Sequence, residues 1–211
     1  MDKQLIAQLN NSDEKSQIDA AIKIAELAEE YEDVSESFST LIKQANKNEK
    51  IAYFASMAMF YFATCHVAFN WRPFEKQLHK LLTHNETEVA QNAAKTLTLY
   101  YYYSEKFDEV QKLIFHPNNA IRTATLQVIP CTPCKSELIA ALIACLDDLD
   151  PQIQYEASRL LTCDFLTRGQ TNSAIALLTN KTTAINKGAK RATDYISKIS
   201  PLPQQIKELT N

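Results

Sequence analysis

The chain has 211 residues, of which 45% are hydrophobic and 22% charged, and this composition excludes an intrinsically disordered chain. Only two glycines occur, too few for the many turns of an all-β protein. The formal net charge of -3 is unlike the basic balance of a typical nucleic-acid-binding module, although acidic residues concentrate in residues 1–48 and basic residues in residues 170–211.

Targeting and redox signals point to a protein of the cytoplasm. No run of 18 apolar residues occurs, and the longest apolar stretch, residues 51–69, is interrupted by polar residues, so no membrane span is predicted. Residues 1–4 do not begin a basic region followed by an apolar run, so no secretory signal is predicted. The five cysteines are irregularly spaced, which favours reduced thiols over a disulfide framework and therefore a cytoplasmic location.

Residues 1–71 are predicted to form two loosely patterned helix pairs. The first has a short apolar segment before a helix over about residues 12–31. The second has a helix near residues 35–45 before a helix whose core positions recur every four residues from Ile51.

Residues 74–201 repeat with a period of thirty-two residues. Four apolar anchor residues mark the period: Val89, Ile121, Ile153 and Ile185. Core-type residues follow the anchors at four, seven and eight positions, which is the spacing of one helix face, and the residue at the fourth position is small. A second apolar set precedes each anchor by seven, eight and eleven positions. Each unit is therefore a helix A, a short polar turn and a helix B.

The turns between helices A and B carry helix-start signals. Asp150 before Pro151 is predicted to be an N-cap followed by a first-turn proline. Asn118 or Asn119, and Thr182, are predicted to cap the same way. Together the patterns predict an all-α solenoid of about six stacked antiparallel helix pairs. We expect residues 1–211 to form this single solenoid, with residues 202–211 as a C-terminal tail.

The repeats resemble those of the HEAT family. Residues 150–153, Asp-Pro-Gln-Ile, and residues 119–122, Asn-Ala-Ile-Arg, match the HEAT pattern of a polar turn, a β-branched residue and an arginine. Among the four anchors only Ile121 is followed by arginine, so the chain resembles a divergent member or an armadillo-type relative. The resemblance implies binding of other macromolecules along a concave face, without naming a partner.

The exposed row of the B helices is the predicted binding surface, because helix B lines the concave side in such folds. This row becomes more basic toward the C-terminus, which suits an acidic peptide or a nucleic-acid backbone. The candidate binding residues are Tyr155, Arg159, Lys187, Lys190, Arg191, Lys95 and Arg122.

Three other motifs have structural interpretations. Cys131 and Cys134 have the C-x-x-C spacing of redox and zinc sites, but no second close pair exists, and Cys131 falls at an apolar repeat position, so a buried core cysteine is predicted. His84 and His116 lie one period apart in equivalent turns and are interpreted as turn polarity rather than metal ligands. The tyrosines at residues 100–103 are predicted to pack between repeats rather than stack on bases.

No paired carboxylates, phosphate-binding glycine loop or nucleophile motif occurs, so no enzyme activity, metal or cofactor is predicted. The predicted function is a non-enzymatic protein-interaction scaffold or adaptor, with a protein partner, no membrane contact and an open oligomeric state. The alternative is a nucleic-acid-binding HEAT-like protein related to the DNA alkylation-repair glycosylases.

Overall fold

The chain folds into helices throughout residues 3–131 and 134–210, the part that the computed structural model describes, and this part has no strand. The α-helices in chain order are α1 (Lys3–Leu9), α2 (Glu14–Glu29), α3 (Phe38–Ala45), α4 (Glu49–Cys65), α5 (Glu75–Leu81), α6 (Thr87–Tyr103), α7 (Phe107–Ile114), α8 (Asn119–Val128), α9 (Ser136–Ala144), α10 (Pro151–Thr167), α11 (Thr171–Leu178), α12 (Thr183–Ile196) and α13 (Gln204–Thr210). None of these helices combines the length and apolar content needed to cross a bilayer. The predicted all-α class is confirmed.

The helices form six consecutive pairs, from α1 with α2 to α11 with α12, and the two helices of each pair pack against each other. The last four B helices, α6, α8, α10 and α12, begin one period apart, at Thr87, Asn119, Pro151 and Thr183. The predicted period is therefore confirmed in the helix starts. The chain divides into two compact units, which we call unit 1 (Met1–Lys106) and unit 2 (Phe107–Asn211).

The anchor residues of the repeat are buried as predicted. Val89, Ile121 and Ile153 are fully buried, and Ile185 is 5% exposed. Within unit 1, α2 contacts α4 and α4 contacts α6; within unit 2, α8 contacts α10 and α10 contacts α12. In both units the apolar faces of neighbouring B helices therefore share a core that one pair alone could not bury.

Each turn before a B helix of the last four repeats is closed by a side-chain acceptor at one repeat position. The backbone N–H two residues further on donates to this side chain over 2.8–3.1 Å. The four acceptors, again one period apart, are His84, His116, Asp148 and Asn180. The interpretation of the two histidines as turn polarity is confirmed, because their Nδ1 atoms take the place that a carboxylate or amide oxygen fills in the other turns.

The position after the anchor supports the same turns. Arg122 Nη1 donates to the carbonyl of His116 over 3.1 Å, and its Nη2 donates to both carboxylate oxygens of Asp148, at 3.0 and 3.1 Å. Gln154 donates to the carbonyl of Asp148 over 2.7 Å, and Asn186 donates to the carbonyl of Leu178. In these two repeats a shorter amide thus serves in place of the arginine, whereas Ala90 follows the anchor Val89.

The predicted helix caps are mostly confirmed. Asp150 accepts from the N–H of Gln152 at the start of α10, and Asn118, rather than Asn119, accepts from the N–H of Ala120 at the start of α8. Thr182 occupies the N-cap position of α12, but its side chain makes no capping hydrogen bond, so that prediction was wrong.

Aromatic side chains fill the core of unit 1. Trp71 is 1% exposed and stacks on Phe38 with the ring centroids 5.4 Å apart, while Phe62, Phe69 and Phe74 surround this pair. Three of the four consecutive tyrosines are buried, which confirms that they pack rather than present a stacking surface.

The C-terminal residues are more ordered than a tail. They form α13, which contacts α11 and α12, and Ile206 is fully buried. Two apolar residues, Ile206 and Leu209, in a short polar segment gave too weak a period to predict this helix.

Candidate functional site

A groove of about 540 Å³ lies on the B-helix face of unit 2. Its walls are residues 127–131 at the end of α8, Tyr155 and Arg159 on α10, and Arg191 and Tyr195 on α12. We call it the unit 2 groove. It is the place where the described residues bring three of the predicted binding residues together.

The repeat itself places these side chains. Arg159 and Arg191 lie one period apart, so they occupy the same position on adjacent B helices. On α12, Lys187, Arg191 and Tyr195 follow each other at intervals of four residues and therefore share one face. The groove thus has one stripe of side chains from α10 and a parallel stripe from α12.

A close approach of α10 and α12 fixes the position of the two helices that line the groove. Ser158 Oγ donates to the carbonyl oxygen of Ile185 over 2.8 Å, which ties the two helices directly. Gly188 is buried opposite, and a Cβ atom there would overlap the carbonyl oxygen of Tyr155 and the hydroxyl of Ser158. The glycine is therefore required by packing, because no side chain fits between the helices at this point.

Arg159 is already engaged within the protein. Its Nε donates to Glu156 over 2.8 Å, and its Nη2 donates to the carbonyl of Leu126 over 3.2 Å. Glu156 is 6% exposed, and its second oxygen accepts from Gln152. This satisfied pair joins α10 to α8 and makes Arg159 a fixed part of the wall rather than a free charge.

Arg191, in contrast, is exposed and forms no hydrogen bond or ion pair with any described residue. The same holds for Lys187 and Lys190 on the same helix. These residues outnumber the one acidic residue of α12, Asp194. The free positive charge at the unit 2 groove therefore comes from α12, and of the two arginines that line the groove Arg191 is the unpaired one.

The remaining two predicted binding residues lie elsewhere. Lys95 belongs to unit 1, where its Nζ lies 5.0 Å from the centroid of the Phe60 ring, and burial lowers its pKa. Arg122 is held by Asp148 and by the carbonyls of its own turn, so its guanidinium is part of the repeat structure. Neither residue lines the unit 2 groove.

A disulfide between Cys131 and Cys163 corrects the prediction of reduced thiols. The two Cα atoms are 5.8 Å apart, and the sequence separation is 32 residues, one repeat. Cys163 is fully buried, whereas Cys131 lies partly exposed on the wall of the unit 2 groove, so the prediction of a buried core cysteine at Cys131 was also wrong. Because these two cysteines form a disulfide, the cysteines of the chain no longer support a cytoplasmic location.

The signal for this pair was present in the period. Cys131 and Cys163 hold equivalent repeat positions, yet equivalent positions on stacked parallel helices are normally separated by about the interaxial distance of 8–10 Å, which exceeds the Cα separation of a disulfide. Here Cys131 follows the end of α8, and the chain bends toward α10. Thr132 and Pro133 of the C-x-x-C motif lie outside the described residues.

The other cysteines are not poised for chemistry. Burial raises the pKa of the Cys134 thiol to about 12 and that of Cys145 to about 11, so both stay protonated. Cys65 is exposed. Within the described ranges no three His, Cys, Asp or Glu residues come together to hold a metal ion.

No protein-family model matches the chain, and no curated protein matches its sequence. Solved structures do match. An engineered protein from the Northeast Structural Genomics Consortium is 20% identical, with a TM-score of 0.60 over 94% of this chain and 98% of its own. A second engineered protein from the same consortium is 20% identical, with a TM-score of 0.58 over 92% of this chain and 57% of its own. A designed armadillo repeat protein is 17% identical, with a TM-score of 0.55 over 90% of this chain and 98% of its own. The chain therefore has a HEAT/armadillo-like helical-repeat fold, an all-α solenoid.

Proposed function

We propose that the protein is a non-enzymatic scaffold whose unit 2 groove binds an acidic segment of a partner protein. The observation that carries the proposal is the unpaired Arg191 guanidinium beside two tyrosines, in a groove lined by helices α10 and α12 that are hydrogen-bonded to each other. An unpaired guanidinium offers a planar fork of donors that matches a carboxylate. Tyr155 and Tyr195 add amphipathic contact area of the kind that is enriched in protein interfaces.

Several weak contacts must act together in such a site. An exposed ion pair contributes about 0.2–1 kcal/mol, so Arg191 alone cannot hold a partner. Lys187 and Lys190 lie on the same helix and extend the positive charge beyond the groove. The end of α8 supplies apolar surface through Val128 and Pro130, which are partly exposed. We therefore expect the bound segment to combine acidic residues with an apolar one.

Two observations favour a protein partner over nucleic acid. Unit 2 carries eleven basic and ten acidic residues, whereas a protein that binds a phosphate backbone commonly neutralises about 6–10 phosphates. Trp71, the one tryptophan, is buried in unit 1 and is not available to stack on a base. The glycosylase-like alternative therefore has less support.

A peptide-library selection tests the proposal while the partner is unidentified. A random phage-displayed library is selected on the wild-type chain, on Arg191→Glu and on Lys15→Glu, an exposed control in unit 1 with the same change of net charge. We expect acidic peptides with an apolar residue to be enriched on the wild type and the control but not on Arg191→Glu. By fluorescence anisotropy, the best synthetic peptide should bind Arg191→Glu about tenfold more weakly, since attraction is replaced by repulsion.

Two results would contradict the proposal. One is recovery of the same peptides on Arg191→Glu as on the wild type. The other is salt-sensitive binding of a single-stranded oligonucleotide that Arg191→Glu abolishes while no peptide is enriched, which would support the nucleic-acid alternative instead.

A further inference from the structure

The wall of the unit 2 groove contains a covalent bond that can be opened. Cys131, at the end of this wall, is bonded to Cys163 inside α10. The disulfide packs against Ala192 and Ile196 of α12. It therefore connects the end of α8 to α10, and it touches the third helix that lines the groove.

The chain on both sides of Cys131 is held without the disulfide. Ile129 is 2% exposed and thus anchored in the core. On the other side, the N–H of Cys134 donates to Asp164 over 2.7 Å, and Arg168 donates to the carbonyl of Cys134 over 2.8 Å. Loss of the disulfide would therefore release Pro130 and Cys131, while the two flanks stay bound to unit 2.

We propose that the Cys131–Cys163 disulfide is a redox-controlled clasp that keeps the unit 2 groove formed, and that reduction by a small-molecule thiol or a dithiol protein weakens peptide binding. The binding part of this inference rests on the proposed function, whereas the clasp itself does not. Closing the clasp fixes Pro130 and Cys131 in place before a partner arrives, and such preorganisation increases affinity because less chain must be ordered on binding.

The reductive chemistry starts at Cys131, because it is the partly exposed residue of the pair and Cys163 is fully buried. A thiolate attacks Cys131 Sγ, the S–S bond breaks, and Cys163 leaves as a thiolate that takes a proton from water. A second thiolate then attacks the reductant's sulfur in the mixed disulfide, and Cys131 departs as a thiolate that is protonated. The protein gains two electrons and two protons, and two reductant thiols become one disulfide.

Cys134, the third cysteine of this region, does not exchange with the Cys131–Cys163 disulfide. Cys134 is three residues from Cys131, and its Sγ lies 3.9 Å from the carbonyl oxygen of Leu160 on α10. Burial and the nearby Asp164 raise the pKa of this thiol to about 12, so the thiolate needed for internal exchange is scarce at neutral pH. The bond therefore responds to external thiols.

Hydrogen exchange and thiol labelling of the full chain test the clasp directly. The oxidised protein is treated with reduced glutathione, and newly freed cysteines are alkylated and identified by mass spectrometry. We expect Cys131 and Cys163 to become labelled without denaturant, with faster amide exchange confined to the end of α8 and the middle of α10. Cys131→Ser should show the same exchange without reductant, and Cys134→Ser should keep the clasp.

Peptide binding is measured on the same samples with the synthetic peptide selected on the oxidised protein. We expect about tenfold weaker binding after reduction and for Cys131→Ser, the factor that follows from ordering the backbone of Cys131 on binding, because the ring of Pro130 already restricts its own backbone. Cys134→Ser should bind like the wild type and lose affinity on reduction.

The outcomes separate the two proposals. Reduction that needs denaturant, or that leaves both exchange and affinity unchanged, overturns the clasp even if peptides bind through Arg191. Faster local exchange on reduction in a protein that binds no acidic peptide keeps the clasp and overturns the proposed function. Free Cys131 and Cys163 thiols in the protein purified without reductant, under air, would also overturn the clasp.

Discussion

Gly188→Ala gives the sharpest test of how the two C-terminal B helices pack. In an ordinary helix interior this change stabilises the protein, because alanine is the better helix former by about 1 kcal/mol. In α12 the new methyl group would overlap the carbonyl oxygen of Tyr155 and the hydroxyl of Ser158. The structure therefore predicts the opposite sign from helix propensity.

The magnitude follows from the atoms that block the methyl group. Overpacking a well-packed site costs about 1–3 kcal/mol, and the upper half of that range applies because a backbone carbonyl cannot rotate away as a side chain can. Subtracting the gain of about 1 kcal/mol in helix propensity leaves a net loss of about 1–2 kcal/mol. For a chain of this size, that corresponds to a melting temperature lower by about 4 °C.

Urea denaturation followed by far-ultraviolet circular dichroism measures the effect, with calorimetry to detect separate transitions of the two units. Gly169→Asn is the matched control, because Gly169 has a positive φ of 70°, no atom within 4 Å of a Cβ atom, and a backbone conformation that asparagine tolerates. Adding Ser158→Ala to Gly188→Ala should not restore stability, since the Tyr155 carbonyl still blocks the site. A Gly188→Ala protein as stable as the wild type would refute the packing.

Three further predictions concern the turns and the thiols. Burial and Arg122 lower the pKa of His116, so its neutral ring contributes stability above about pH 6.5 that is lost as the pH falls. Between pH 7 and pH 5 the unfolding free energy of His116→Asn should therefore fall less than that of the wild type. Equal falls in the two proteins would argue against the role of His116 in the turn. Arg122→Ala should destabilise the protein by about 2 kcal/mol in urea titrations. Arg122→Gln should destabilise it less, because Gln154 supports the turn from the equivalent position of the next repeat. Equal losses for the two variants would contradict the role of this position in the turn. At pH 8 iodoacetamide should label Cys65 rapidly and Cys134 only after unfolding, and similar rates by mass spectrometry would show that Cys134 is not buried as described.

The helical repeat could be predicted because its signals are local and recur. Val89 and its three equivalents mark a face that must be buried wherever helices stack, and Asp150 before Pro151 marks a helix start by its own chemistry. The C-terminal α13 escaped prediction because it depends on one buried residue, Ile206, whose partners are distant in sequence.

The candidate site was only partly predictable. The period predicted that the basic residues on α12 share an exposed face, but it could not show which cations form ion pairs within the protein. Arg159 and Arg191 are equivalent in sequence, yet only Arg159 has a carboxylate three residues before it, at Glu156, while Gly188 stands at that place before Arg191. The disulfide was missed because the bend after α8 that brings Cys131 to α10 has no signal in the helix pattern.

The side-chain bonds between neighbouring helix pairs have an evolutionary consequence. Three of them span about one period: 33 residues from Arg159 to Leu126, 34 from Arg168 to Cys134, and 32 across the disulfide. A duplicated block of one full period would bring its own turn acceptor and would contact residues equivalent to those that the original block contacts. A shorter insertion within a helix would instead misalign every side-chain bond that crosses it. In a lineage of such proteins, the number of repeats is free to change by gene duplication, while the length of each repeat is not.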